Sequence, residues 1–175
     1  MKIYRCCETG DEMFTDTYPL ELVGGLFRIK GRYVCRSEKF DDSKIGANAS
    51  AEEQQDEGAD ESSYSGIDVV LDNRLQKTGF SSKKDFMSYF KDLLKKIEAY
   101  KKEKNPDFDV TAWRTEIQNT FKTVLASFDQ YEFYTGESCN PDGTIAMVKW
   151  ETPAGETDDI PYVYFFADSV REEKV

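Results

Sequence analysis

Two apolar stripes in succession set the strongest limit on how this chain can fold. Phe86, Tyr89, Phe90, Leu93, Leu94, Ile97 and Tyr100 recur at three- and four-residue spacing, and Val110, Trp113, Ile117, Phe121, Val124, Leu125 and Phe128 repeat the pattern. Each stripe is one face of an amphipathic helix, and both read first as packing surface. Ser82 with Asp85 three residues on makes a loose capping box, and Asn105-Pro106 stops the first helix, because the residue before proline is biased away from helical geometry. The short break between the stripes predicts an antiparallel helical hairpin over residues 82–129.

The flanking sequence reads as strands: residues 1 to about 36 and the part after the hairpin. "LFRIKGRYVCR" (Leu26–Arg36) is two alternating runs around Lys30-Gly31, which predicts a β-hairpin. "GIDVVLDNRLQKTGF" (Gly66–Phe80) returns to strand-like alternation. "QYEFYTG" and "TIAMVKWE" flank the turn residues "NPDG", and "IPYVYFF" (Ile160–Phe166), the most apolar run, reads as a central strand. Strands on either side of a helical pair predict an α+β fold, and 175 residues suit a single domain. Residues 38–65 break the pattern. "EEQQDEGADESSYS" is too poor in apolar groups to offset the entropy of ordering, so the sequence predicts a disordered acidic loop there.

Charge and missing residue types narrow the function. The net charge is −11, with 33% charged residues, a balance that disfavours nucleic acid and anionic membrane and favours cationic partners. No apolar run is long enough for a membrane span, and the N-terminal segment has no signal-like apolar core, so a cytoplasmic protein is expected. Cys6, Cys7, Cys35 and Cys139 make no compact disulfide framework, and the Asn-x-Ser at Asn48 is expected to be silent inside a cell. The chain has no histidine, which removes the usual general base and the commonest metal ligand. There is no C-x-x-C pair for zinc, no Walker loop and no dinucleotide fingerprint. Counted from Asp41, "DDSKIGANASAE" half-matches an EF-hand loop, but Ile45 stands at a ligand position and no helices flank it. That leaves no tightly bound cofactor, and calcium only through scattered carboxylates.

Two separated motifs then carry a resemblance. "IGANASAEE" (Ile45–Glu53) looks like the first signature of the translationally controlled tumour protein family, and "FDQYEFYTGESCNPDGTIAMVKW" (Phe128–Trp150) matches the second. "IYR" (Ile3–Arg5), "DEMF" (Asp11–Phe14) and "VYFFADS" near the C-terminus also sit where that family has its equivalents. The resemblance covers essentially the whole chain. It implies a β-tent core, a projecting two-helix hairpin and a long flexible loop that carries the first signature.

The family resemblance also implies binding in place of catalysis: calcium binding, microtubule association, growth-promoting and anti-apoptotic regulation, and contact with a small GTPase or a translation elongation factor. Partners of the Bcl-2 family, and non-classical secretion, belong to the same implied set. Carried over by position, the GTPase contact falls on Glu12, in "DEMF". The tubulin-facing region falls on the first helix, where Lys91, Lys95, Lys96, Lys101 and Lys102 stand out in an acidic chain. The calcium positions fall on Gln130, Glu132 and Lys149, the last placing an ammonium where relatives offer a carboxylate. Ser43, beside Asp41 and Asp42, resembles a polo-like-kinase site, with Lys44 in place of the usual apolar neighbour. The alternative is an enzyme of the same fold, a methionine sulfoxide reductase. It is disfavoured by the lack of His and of C-x-x-C.

Overall fold

The computed structural model describes residues 1–37 and 63–174. Within them the chain forms three layers. A six-stranded antiparallel sheet lies in the middle, a helical hairpin covers one face, and a three-stranded sheet covers the other. The strands are β1 (Lys2–Cys6), β2 (Glu12–Thr15), β3 (Leu20–Val23), β4 (Leu26–Lys30), β5 (Tyr33–Ser37), β6 (Ser63–Ile67), β7 (Gln76–Thr78), β8 (Glu132–Thr135), β9 (Ala146–Glu151), β10 (Ile160–Phe166) and β11 (Val170–Lys174). The helices are α1 (Asp68–Asp72), α2 (Lys83–Lys104) and α3 (Val110–Ala126).

Strand β10 explains the architecture. It is central in the order β3-β4-β10-β9-β8-β7, and residues 161–166 are all buried. Tyr162, Tyr164 and Phe166 face the hairpin with Leu26, Phe133 and Met147, whereas Val163 and Phe165 face the small sheet with Ile29, Ala146 and Val148. A strand covered on both faces has no polar side, which is why its sequence reads as one unbroken apolar run. The small sheet has the order β11-β1-β2, so the first strand lies between the second and the last.

The hairpin is antiparallel. Phe90 stacks on Phe121 with ring centroids 4.0 Å apart, Arg114 of α3 pairs with Glu98 of α2, and Lys101 lies over the Trp113 ring. The Ser82 side chain accepts from the Asp85 N–H at the start of α2, and the Asp109 side chain accepts from the Ala112 N–H at the start of α3. Phe86, Tyr89, Phe90, Leu93 and Ile97 of α2 are buried, as are Ile117, Phe121 and Val124 of α3. The joint over 102–107 is exposed.

Three expectations change. The segments around Lys30-Gly31 do not pair with each other. Strand β4 has β3 on one side and β10 on the other, so no edge is left for β5, which forms a separate ribbon with β6. The chain leaves the large sheet at Gly31, whose N–H donates to the Pro161 carbonyl and whose Cβ, if present, would come within 2.9 Å of that oxygen. Residues Ser63–Ser65, placed in the loop by composition, belong to β6. The rest of that loop, with Ser43, Asn48, the Asp41 frame and the first signature, lies outside the described residues. Within the alternating stretch Gly66–Phe80, residues Asp68–Asp72 are helical, because the Asp68 carboxylate accepts from the Arg32 and Val69 N–H groups and the Asn73 amide donates to the Val69 carbonyl.

Candidate functional site

Segments from four parts of the chain meet around Glu12. Arg5 from β1, the turn Gly10–Asp11, Glu12 at the start of β2, Asp72–Arg74 at the end of α1, and Glu137 after β8 line one cleft of about 420 Å³. The joint that makes it is a side chain against a backbone. The Asp11 carboxylate accepts from the Ser138 N–H at 3.2 Å and the Ser138 hydroxyl at 2.5 Å. Gly136 lies so close that a Cβ there would come within 2.4 Å of Asp11 Oδ2. The second signature supplies Gly136 because only a residue without a side chain fits against the "DEMF" segment.

Beneath the turn, the Cys6 thiol is almost fully buried and accepts from the N–H groups of Glu8, Thr9 and Thr144 at 3.2–3.4 Å. Burial opposes ionisation of this thiol, yet the hydrogen bonds from Thr144 and then Thr9 bring it below the ordinary thiol range. Cys7 falls just past the strand, in the turn, and burial pushes its thiol up to about 11. The two sulfurs have different surroundings and do not form a chelating pair.

Each carboxylate lining the cleft has a partner within the fold. Glu12, half exposed, accepts from Arg5 at 3.3 Å. Arg5 also donates to the Gly10 carbonyl at 3.2 Å and to Glu173 on β11. Asp72 accepts from the Tyr18 hydroxyl at 2.6 Å and from Arg36. Burial alone would raise the Asp72 carboxyl, but Arg36 and Tyr18 outweigh it and hold the group below the usual carboxylate range. Arg74 pairs with Glu137 at 3.1 Å from a backbone with φ 55°, a left-handed conformation uncommon outside glycine. The lining residues offer guanidinium, carboxylate and amide groups and no thiol, hydroxyl or imidazole. Such a lining presents charge and hydrogen-bonding groups to whatever enters it.

A second surface lies on α2. Lys84, Lys91, Lys95 and Lys102 are exposed and recur at intervals of seven, four and seven, so they align on one face, opposite the buried stripe. Lys91 and Lys95 make no salt bridge to a described residue, and Lys102 is 3.7 Å from Glu98. Lys96 and Lys101 lie elsewhere. Lys96 reaches Glu8 at 3.5 Å, and Lys101 reaches Asp168 at 3.1 Å beside the Trp113 indole N–H, which donates to the same carboxylate. The structure therefore divides the five lysines singled out by sequence into three on an open face and two tied to the body, and it adds Lys84 to the open face.

The calcium positions are neighbours, Glu132 standing opposite Val148 beside Lys149, but each side chain has a setting of its own. Gln130 is exposed in a 3₁₀ turn, the Glu132 carboxylate accepts from Tyr134 and lies 3.7 Å from Lys77, and Lys149 lies over the Tyr131 ring. Among the described residues no three acidic, cysteine or histidine side chains converge as a metal would require. The cleft residues Arg5, Asp72, Arg74 and Glu137 did not emerge from sequence reasoning as site residues. Two of them left a signal, since Arg5 closes the "IYR" motif and Glu137 follows Gly136 in the second signature.

Known proteins resemble this chain along its whole length. The family model described as translationally controlled tumour protein matches residues 1–171. Translationally controlled tumour protein homologues from Drosophila yakuba and Bombyx mori are 44% and 42% identical over 177 aligned residues, covering 99% of each chain. Among solved structures, the translationally controlled tumour-associated protein p23fyp of Schizosaccharomyces pombe superposes with a TM-score of 0.76 at 33% identity, over 100% of both chains. The Caenorhabditis elegans translationally controlled tumour protein does so with 0.71 at 29%, over 100% of this chain and 99% of its own.

Proposed function

The chain belongs to the translationally controlled tumour protein family, and from that premise we propose that it is a non-catalytic cytoplasmic binding protein that associates with microtubules through the lysine face of α2. One observation carries the reading: four exposed lysines aligned on one face of a protein whose net charge is −11. A basic row on an acidic body attracts an acidic partner in one orientation and repels it in the others, which gives direction to the encounter. The acidic surface of tubulin fits that chemistry. Lys84, Lys91, Lys95 and Lys102 make the contact, while Lys96 and Lys101 hold α2 to the body.

Co-sedimentation with microtubules tests it. Reversing Lys84, Lys91, Lys95 and Lys102 to Glu should lower the bound fraction at least about tenfold, since each exposed charge pair is worth roughly 0.2–1 kcal/mol and reversal replaces attraction with repulsion. Wild-type binding should also fall steeply with salt. A reversed protein that is folded yet pellets normally would remove the helix face from the mechanism.

A second reading is favoured by the position of Glu12. It stands half exposed at the rim of the cleft, and we assign contact with a small GTPase, or a GTP-binding elongation factor, to that carboxylate. Glu12→Gln should lower the affinity for such a partner and leave microtubule binding unchanged. Calcium binding, if carried by Gln130 and Glu132, should be weak, at about 10⁻⁴–10⁻³ M, because no rigid cage of oxygens surrounds an ion there. Titration calorimetry giving submicromolar affinity would refute that assignment.

A further inference from the structure

The guanidinium of Arg5 is shared between two acids on opposite sides of β1. In the small sheet, Arg5 stands opposite Glu12 of β2, and Ile3, two residues back on the same face, stands opposite Glu173 of β11. The shared contact is unequal. Arg5 holds Glu173 in its closest ion pair and reaches Glu12 only at 3.3 Å, and the Glu173 hydrogen bond is the leading reason its guanidinium is held above the ordinary arginine range. A third N–H of the guanidinium donates to the Gly10 carbonyl at 3.2 Å, in the turn leading into Glu12, a turn that the Gly10 N–H to Cys6 carbonyl and Cys6 N–H to Asp11 carbonyl bonds also close. Arg171, opposite Arg5 in register, donates to the Cys7 carbonyl and does not substitute for it.

Charge counting gives the consequence. Glu12, Arg5 and Glu173 together carry one excess negative charge, and the stronger pair is the one remote from the cleft. We propose that Glu173 is a positioning residue for the Glu12 surface: by drawing the Arg5 guanidinium toward β11, it leaves Glu12 loosely held and able to exchange Arg5 for a cationic group of a partner. Without Glu173, Arg5 turns its full charge on Glu12, and a partner must then displace an intact ion pair. Glu173 lies beyond residues 1–171, the stretch covered by the family model. The proposal rests on the reading of Glu12 as a partner contact.

The experiment measures binding of the full-length protein to an immobilised, GDP-loaded small GTPase, with thermal unfolding as the fold control. Glu12→Gln should weaken binding about tenfold and Glu173→Gln about fivefold, within the range seen for single interfacial charges. In the double variant Glu12→Gln/Glu173→Gln, the loss should be no larger than for Glu12→Gln alone, because Glu173 acts through Glu12. Adding Arg5→Met to Glu173→Gln should restore binding to within about threefold of wild type, since it removes the guanidinium that captures Glu12. A merely structural role for β11 does not predict that rescue. If Glu12→Gln binds normally, the reading of Glu12 is wrong and this proposal falls with it. If Glu12→Gln weakens binding but Glu173→Gln does not, or if the losses add, or if Arg5→Met fails to rescue, the positioning role alone is overturned.

Discussion

The cleft and the lysine face are both charged, yet they hold their charges differently. In the cleft, Asp72 and Glu137 each accept from an arginine and Asp11 accepts from Ser138, while Glu12 at the rim shares Arg5 with Glu173. On α2, Lys91 and Lys95 project from a regular helix with no salt-bridge partner among the described residues. A charge held by the fold is fixed in position and partly neutralised, so it recognises a shape. A charge on a free stem keeps its full field and its rotamer freedom, so it attracts over distance and discriminates little. The cleft suits selective contact, and the helix face suits fast, salt-sensitive association.

Mutations should separate the two regions by size of effect. The largest belongs to the cleft. Gly136→Ala puts a Cβ against the Asp11 side chain along its whole length, at 2.4–2.9 Å, so that movement of the carboxylate tip gives no relief. A loss of about 1–3 kcal/mol is expected by denaturant unfolding, and wild-type stability in this variant would mean that the two segments separate freely. Next comes a lysine that sequence alone had grouped with the free ones. Lys101→Glu sets a carboxylate beside Asp168 and should cost about 1 kcal/mol, measured the same way.

Smaller still is the acid response of Asp72. Its folded-state pKa lies below the unfolded value, so its stabilisation is fully present above about pH 4 and fades as pH falls through the lowered folded value. The group is about a third exposed, and solvent screening limits the contribution to less than about 1 kcal/mol. Asp72→Asn should flatten the stability profile below pH 4, and an unchanged slope would show that Arg36 does not hold the carboxylate in solution. The smallest effect belongs to the open face. Reversing Lys84, Lys91, Lys95 and Lys102 should each move stability by no more than about 0.5 kcal/mol, and a larger loss would mean that these stems support packing as well.

The same division marks what sequence could reveal. The helical stripes and the apolar run of β10 are readable because each signal lies within one element: Phe86 to Ile97 repeats with the helix, and Tyr162 to Phe166 has no polar side because both faces are covered. Choice of pairing partner is not local. Strand β4 could be recognised as a strand, but that β10 takes its edge and sends β5 away depends on residues some 130 positions later. The short helix Asp68–Asp72 was missed because alternation in "IDVVLD" fits a strand equally well, and the Asp68 bond to Arg32 decides the matter. Glu12 was reachable through a motif. Arg74 and Asp72 were not, since nothing in "LDNRL" signals that it folds against Gly10–Glu12.

The place of β1 in the small sheet also has a consequence for how the protein is made. During synthesis β1 and β2 emerge early and can pair at once, but the other edge of β1 stays open until β11 appears, with Arg5 and Glu173 separated by 168 positions. Through that interval the ribosome presents a chain with an unpaired strand edge, and with Tyr4, Cys6 and Phe14 waiting for the strands that will bury them. Nascent chains in that condition invite wrong partners, so the interval between β1 and β11 is where misassembly of this sheet would begin.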